Sequence, residues 1–203
     1  MNHLVKPLIL ASRSPRRLHL LRQIGIEPTV IPCDVPEDFR QDQTPAENAM
    51  RLAADKANAV ARSTSFGCVL GADTIVTLDG LMLGKPVDRA DAVRMLTLLS
   101  GRVHRVHTGF ALVDCPSGKT ATGAEETFVH FRDLPAPEIE EYVDGGSPLD
   151  KAGAYGIQDD YGAVFVRKVE GCYYNVVGLP LSAVYTSLIG MDLVRYQGKE
   201  SGQ

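Results

Sequence analysis

The chain predicts an α/β fold around a mixed sheet, because short apolar runs of strand type alternate with amphipathic helical stretches. Three observations carry this. Leu8-Ile9-Leu10-Ala11 is a short apolar run followed by Pro15 and a helical stripe of Leu18, Leu20, Leu21 and Ile24. Thr44-Pro45-Ala46-Glu47 is a capping box with proline at the first helical position, opening an alanine-rich helix. Cys68 to Leu78, then Asp79-Gly80, then Leu81-Met82-Leu83 reads as a strand turning back on itself.

Each element has its own local reason. The first helix starts at Pro15, whose missing N–H costs nothing there, and stops at Gly25. A second strand is expected near Thr29 to Ile31, and the polar segment Asp34 to Gln43 is expected as an exposed loop. The helix capped by Thr44 should reach about Arg62. Asp88 can cap a third helix carrying Ala92, Met95, Leu96 and Leu99, stopped by Gly101. Val103 to Val113 and Thr127 to Phe131 are expected to pair, joined through the loop around Pro116 to Lys119. A short acidic helix after Pro135 or Pro137 should end near Gly145. Strands are expected at Ala163 to Val169 and Tyr174 to Val177, and a last helix at Leu181 to Ile189. The tail, residues 197–203, is polar and expected to fray. There are no internal repeats, so residues 1–203 read as a single domain.

Composition narrows the function. The chain has 203 residues, 44% hydrophobic and 23% charged, with a formal net charge of -4. No global basic field draws it to nucleic acid or anionic membrane, so any anion must be bound by a local cluster. The four cysteines, Cys33, Cys68, Cys115 and Cys172, form no C-x-x-C pair, which removes zinc ribbons and redox motifs and points to reduced thiols in the cytosol. Neither a signal peptide nor a membrane-spanning stretch is expected.

Four segments are candidates for chemistry. Ser12-Arg13-Ser14-Pro15-Arg16-Arg17 sits between a strand and a helix, where N–H groups and the positive helix end favour phosphate. Basic residues there oppose the helix dipole unless an anion is bound; otherwise they are only a solvated helix start. Gly71-Ala72-Asp73-Thr74 puts a carboxylate in an apolar strand, costly to bury unless paired, protonated or metal-bound. A strand-end turn with Asp73 facing water is the alternative. Gly84-Lys85-Pro86 places a lysine that the hairpin can return to the Asp73 end of the sheet. Glu37 and Lys56 taken alone look like solubility groups. Asp150-Lys151-Ala152-Gly153-Ala154-Tyr155-Gly156-Ile157-Gln158 suits a base- or ribose-reading loop, or a tight structural turn. His104 and His107 lack a third His or Cys, and His104 reads as structural.

In order along the chain, these segments resemble the Maf family of nucleoside triphosphate pyrophosphatases. Leu8 to Arg17 resembles the family's opening signature. Ala53-Ala54-Asp55-Lys56-Ala57, Gly71-Ala72-Asp73-Thr74, Gly84-Lys85-Pro86, Ser100-Gly101 with His104, Asp150 to Gln158 and Val177-Gly178-Leu179-Pro180-Leu181 follow in the family's order. The resemblance implies a mixed twisted sheet flanked by helices, of the Maf and inosine-triphosphate-pyrophosphatase kind, with a cleft between two lobes. It implies cleavage between the α and β phosphates with a divalent cation.

By matching position, Ser12, Ser14, Arg16 and Arg17 correspond to the phosphate grip and Asp73 to the proton acceptor. Glu37 corresponds to the metal-linked acid, with Asp73 as the second metal residue, and Lys56 and Lys85 to the neutralising lysines. The segment Asp150 to Gln158, including Lys151, is similar to the branch acting on dTTP and UTP, whose specificity positions match Arg16, Thr74 and Gln158. Within the loop, Ser14 and Arg17 are expected to hold phosphate while Arg16 helps choose the base. An oxygen-only set of Asp and Glu suits Mg2+ or Mn2+. The family also implies a homodimer.

Two departures stand out. The acidic loop reads Asp34-Val35-Pro36-Glu37-Asp38, without the family's usual acid directly before Glu37, which leaves Asp34 and Asp38 as alternative ligands. Gly146-Ser147-Pro148 replaces Gly-Glu-Pro, and Asp159-Asp160-Tyr161-Gly162 lengthens the next connection. Two rival functions stay open: a Maf pyrophosphatase of the 7-methyl-GTP type, and a nucleotide-binding regulator of cell division (septum inhibition) with little catalysis.

Overall fold

A computed structural model describes residues 4–158 and 161–195; the tail and Asp159-Asp160 lie outside the described residues. The expected α/β architecture is present as a seven-stranded mixed sheet. In chain order the elements are β1 (Leu8–Ala11), α1 (Pro15–Gln23), β2 (Thr29–Val30), α2 (Pro45–Ala61), β3 (Gly67–Leu78), β4 (Leu81–Leu83) and α3 (Arg89–Leu99). There follow β5 (Val103–Cys115), β6 (Thr120–Phe131), α4 (Ala136–Asp144), β7 (Val166–Glu170), α5 (Tyr173–Val177) and α6 (Leu181–Gly190). The local signals operate as expected. Thr44 Oγ1 accepts from the Glu47 N–H while the Glu47 side chain accepts from the Thr44 N–H, closing the capping box, and Asp88 caps α3.

The strand order is β2-β1-β3-β5-β6-β7, with β4 also on β3. β1 runs parallel to β2 and β3, whereas β5, β6 and β7 continue antiparallel. One edge of β3 is shared. β1 pairs with its first part as far as Ala11↔Gly71, and β4 pairs with its last part from Val76↔Leu83. Between them, in the described sheet, Ala72 to Ile75 ladder only with β5. That gap lies beyond the carboxyl end of β1, where open α/β sheets place ligands.

The two faces of the sheet are covered differently. Leu8, Leu10, Leu70, Ala72 and Val76 join the large core with residues of α1, α3, α4 and α6. Ile9, Ala11, Val69, Ala111 and Val113 pack on the other face against Ala53, Ala57 and Val60 of α2. α2 approaches the strands closely because Gly71 and Gly109 lack side chains. A Cβ built on Gly71 would lie 2.2 Å from the Ala53 carbonyl oxygen, and one on Gly109 2.3 Å from the Ala49 carbonyl carbon.

Three expectations are corrected. Tyr174 to Val177 is not a strand: Tyr173–Val177 forms α5. A short apolar run has no decisive period; here Asn175 decides, its Nδ2 donating to the Val106 carbonyl and to Thr127 Oγ1, both at 2.9 Å. β6 begins at Thr120 rather than Thr127, because β5 offers a partner from Val113↔Thr120 onward to a polar segment with no apolar alternation. The strand expected from Ala163 starts at Val166. The preceding Tyr161–Phe165 is a tight helical turn that drives the Phe165 ring fully into the core.

Candidate active site

A cleft of about 750 Å³ opens at the gap on β3. Its walls are the loop after β1, the Cys33 to Phe39 segment, Asp73 and Thr74 of β3, Gly84 and Lys85 after β4, the Asp150 to Gln158 segment and Val176 to Gly178. Six cationic side chains line it against four acidic ones, on a chain of net charge -4. The local field is therefore inverted relative to the whole molecule and favours a polyanion.

Successive residues of β3 point to opposite faces, and this divides the site. Asp73 faces α2. Its Oδ1 lies 2.5 Å from Lys56 Nζ, and both residues are buried. Lys56 Nζ also donates to Glu37 Oε1 at 2.6 Å, and Lys85 Nζ donates to Glu37 Oε2 at 3.0 Å. Acid and ammonium therefore alternate as Asp73, Lys56, Glu37, Lys85. Burial alone would raise the Glu37 pKa, but the two lysines outweigh it and hold the carboxyl at about 2. Neither neighbouring acid meets a lysine in this way: Asp34 pairs with Arg13 at 3.1 Å, and Asp38 offers its backbone carbonyl to Arg51.

Thr74 faces the other way, into a relay of hydroxyls. Arg17 Nη2 donates to Thr74 Oγ1 at 3.2 Å. Thr108 Oγ1 donates to the Asn175 carbonyl at 2.8 Å, so the hydrogen between Thr74 and Thr108, whose oxygens lie 3.0 Å apart, comes from Thr74. Thr74 thus offers the cleft only an acceptor lone pair. Arg17 also donates through Nε to the Gly178 carbonyl at 2.8 Å and through Nη1 to Ser12 Oγ at 3.1 Å. Burial lowers the Arg17 pKa, opposed by the Asp73 charge and assisted by Arg16.

Ser12 is buried and its Oγ already accepts from the Ser14 N–H at 3.1 Å and from Arg17, so its own hydrogen remains to be donated. Ser14 precedes Pro15 at the start of α1 and makes no side-chain cap. Arg16 reaches across to the Asp150 to Gln158 segment, its Nη1 meeting Asp150 Oδ2 at 3.0 Å, while Lys151 Nζ meets Asp150 Oδ1 at 2.9 Å. Gln158 lines the cleft at the far end of that segment.

Ser12, Ser14, Arg16, Arg17, Glu37, Lys56, Asp73, Thr74, Lys85, Lys151 and Gln158 all line one cleft, whereas Asp38, His104 and His107 do not. Two supporting groups lie outside the candidate segments: Thr108 and Asn175. For Asn175 the signal is a polar amide inside the otherwise apolar run Tyr173–Val177; for Thr108 there is none. Tyr155 lines the cleft and its hydroxyl lies 2.8 Å from His104 Nε2. Burial, with His130 nearby, pushes the His104 pKa down to about 3, so it is a neutral core histidine.

The fold and the cleft together define an α/β protein with a cleft rich in cationic side chains at a switch point of its sheet. A family profile described as "Maf-like protein" matches residues 7–191. The chain belongs to the Maf family. It is 47% identical over 188 residues to the "dTTP/UTP pyrophosphatase" of Syntrophomonas wolfei, spanning 92% of this chain and 99% of that protein. It is 44% identical over 197 residues to the protein of the same name from Syntrophus aciditrophicus, spanning 97% and 96%. Among solved structures, the Ham1 protein of Staphylococcus aureus superposes with a TM-score of 0.51 at 18% identity, covering 92% of this chain and all of that one. That likeness concerns the fold alone.

Proposed function

We propose that this protein hydrolyses dTTP and UTP to the nucleoside monophosphate and pyrophosphate. The observation that carries the reading is the run Asp73, Lys56, Glu37, Lys85 set beside the Ser12 to Arg17 loop. Relatives at 44–47% identity bearing that activity in their names supply the nucleotide.

In this reading the triphosphate lies along the cleft with its oxygens toward Ser12, Ser14, Arg16, Arg17, Lys56 and Lys85. The Ser12 hydroxyl and the start of α1 donate to phosphate. Arg17, fixed by three protein acceptors, is a preorganised charge that spends no reorganisation during reaction. Asp73 takes a proton from the attacking water as the bond between the α and β phosphates breaks. Lys56 and Lys85 balance charge gathering on the departing pyrophosphate. Arg16, Thr74, Lys151 and Gln158 set the base preference, with Asp150 tying Arg16 and Lys151 into one unit.

Glu37 and Asp73 are the residues to hold a divalent cation, Mg2+ or Mn2+. Their oxygens fit such an ion only as a shared site: among the described residues no three His, Cys, Asp or Glu cluster around one point. This matches Mg2+, which uses one or two carboxylates plus water and substrate phosphate. When bound, the cation supplies charge neutralisation on the phosphates and acidity to water. A single domain with its cleft between two lobes, a homodimeric assembly and a cytoplasmic location complete the proposal. The family resemblance supports the first two, and four free cysteines, together with described helices too short or too polar to cross a membrane, suit the third.

The test is pyrophosphate release from a panel of triphosphates with Mg2+ or Mn2+, ranked by kcat/KM. dTTP and UTP should lead. A lead for 7-methyl-GTP would overturn the base assignment, and binding without pyrophosphate release would favour a regulatory protein.

A further inference from the structure

The two carboxylates proposed to hold the cation already have cations on them. Lys56 Nζ bridges Asp73 Oδ1 and Glu37 Oε1 at 2.5 and 2.6 Å, and Lys85 Nζ meets Glu37 Oε2 at 3.0 Å. Two acids are thereby matched by two ammoniums, and Arg16 and Arg17 make the surroundings positive. Lys56 is 7% exposed and extends from the part of α2 that packs on Gly71, which holds its ammonium beside both carboxylates. A dication placed between Asp73 and Glu37 would meet this ammonium at a few ångströms, and because Lys56 and Asp73 are buried the like-charge repulsion there is only partly screened.

We infer that Lys56 is an internal counter-cation that keeps free divalent metal out of the nucleotide-free site. A dication would then be tolerated only together with the triphosphate, whose charge would also give Lys56 and Lys85 new partners. The cost of binding a dication beside two ammoniums is offset only when about four negative charges arrive with it. Lys85, half exposed on the opposite side of Glu37, contributes the same effect more weakly. This inference rests on the metal-dependent reading above.

The experiment measures Mn2+ bound to the protein from the electron paramagnetic resonance signal of free Mn2+, without turnover. The wild type is titrated alone and with a dUTP analogue whose α–β bridge resists hydrolysis, Mn2+ held by the analogue without protein being subtracted; Lys56→Met and Lys85→Met are titrated alone. The expected result is weak Mn2+ binding to the nucleotide-free wild type and at least about tenfold tighter binding with the analogue. Lys56→Met should bind Mn2+ about tenfold tighter than wild type without any nucleotide, and Lys85→Met a few-fold tighter. Lys85→Met keeps the test decisive should the buried substitution fail to fold. Equally tight binding by the wild type with and without analogue, or variants no tighter than wild type, would overturn the inference and leave metal dependence intact. No Mn2+ bound even with the analogue would overturn both.

Discussion

Gly71 on β3 and Ala53 on α2 touch backbone to backbone: a Cβ on Gly71 would sit 2.2 Å from the Ala53 carbonyl oxygen and 2.7 Å from the Ala57 amide nitrogen. That contact sets the height of Lys56 above Asp73, so packing and electrostatics in the cleft share one origin.

Gly71→Ala is therefore expected to push α2 off the sheet. Overpacking against backbone, which cannot rotate away, should cost about 3 kcal/mol, the upper part of the usual range. Activity should fall with stability. Gly190→Ala, where nothing lies within 4 Å of the added carbon, should change stability by under about 1 kcal/mol. Urea unfolding of both variants checks this, and equal stabilities would remove the close approach as a constraint.

Asp73→Asn should keep the fold and nucleotide binding while turnover falls by about a hundredfold or more, the range for losing a positioned base. Lys56 retains Glu37 as its partner, which protects the fold. Steady-state pyrophosphate release decides, and a near-normal rate removes Asp73 from the mechanism.

The two arginines should separate in their effects. Arg17→Lys loses a fork that meets Ser12, Thr74 and Gly178 together, costing about 2 kcal/mol of stability and raising KM. Arg16 meets the exposed Asp150, so Arg16→Ala should alter stability by under about 1 kcal/mol. Its KM should nonetheless rise, with altered preference between pyrimidine and purine triphosphates. Melting curves and KM measured on the same preparations distinguish the two; a matched pair of effects would contradict the geometry.

His104 supplies an acid-sensitive element away from the chemistry. Its pKa is lowered from 6.5 to about 3 by burial. Protonation is easier in the unfolded chain, so its stabilising contribution is complete above pH 6.5 and drains away as pH falls toward 3. His104→Gln does not titrate and should lose less stability than wild type between pH 7 and 4. Parallel loss in chemical denaturation at the two pH values would refute this.

Glu37 behaves in the same sense over a lower window. With its pKa depressed from 4.5 to about 2 by the two lysines, its contribution is full above pH 4.5 and is lost as pH falls toward 2. Its side chain is 39% exposed, so solvent screening keeps the effect modest. Acid titrations of wild type and Glu37→Gln should differ in slope only below pH 4.5. An acid limb in kcat/KM above pH 5 must accordingly come from another group.

Much of this is legible in the sequence. The capping box at Thr44, the Asp88 cap, the proline opening α1 and the Asp79-Gly80 turn all act within four residues, and each appears where the chain places it. The site loop is legible for a related reason: three arginines crowded at one strand-to-helix junction oppose the helix dipole unless negative charge is brought to them. Less legible were segments whose local pattern is weak. The polar start of β6 and the helix α5 take their conformations from partners across the sheet, Val113 and Thr127 among them.

The sequence by itself determined the α/β class, most helix boundaries, the inventory of charged groups and the family. Tertiary structure alone decided how those groups meet. Arg17 finds Gly178 across 161 residues, Arg16 finds Asp150 across 134, and Lys56 drops onto Asp73 only because two glycines let α2 settle on the strands. Periodicity, caps and turns arise from neighbours along the chain, so the sequence carries them directly. Pairing across the cleft depends on strand register and helix height, which exist only once the whole sheet has formed.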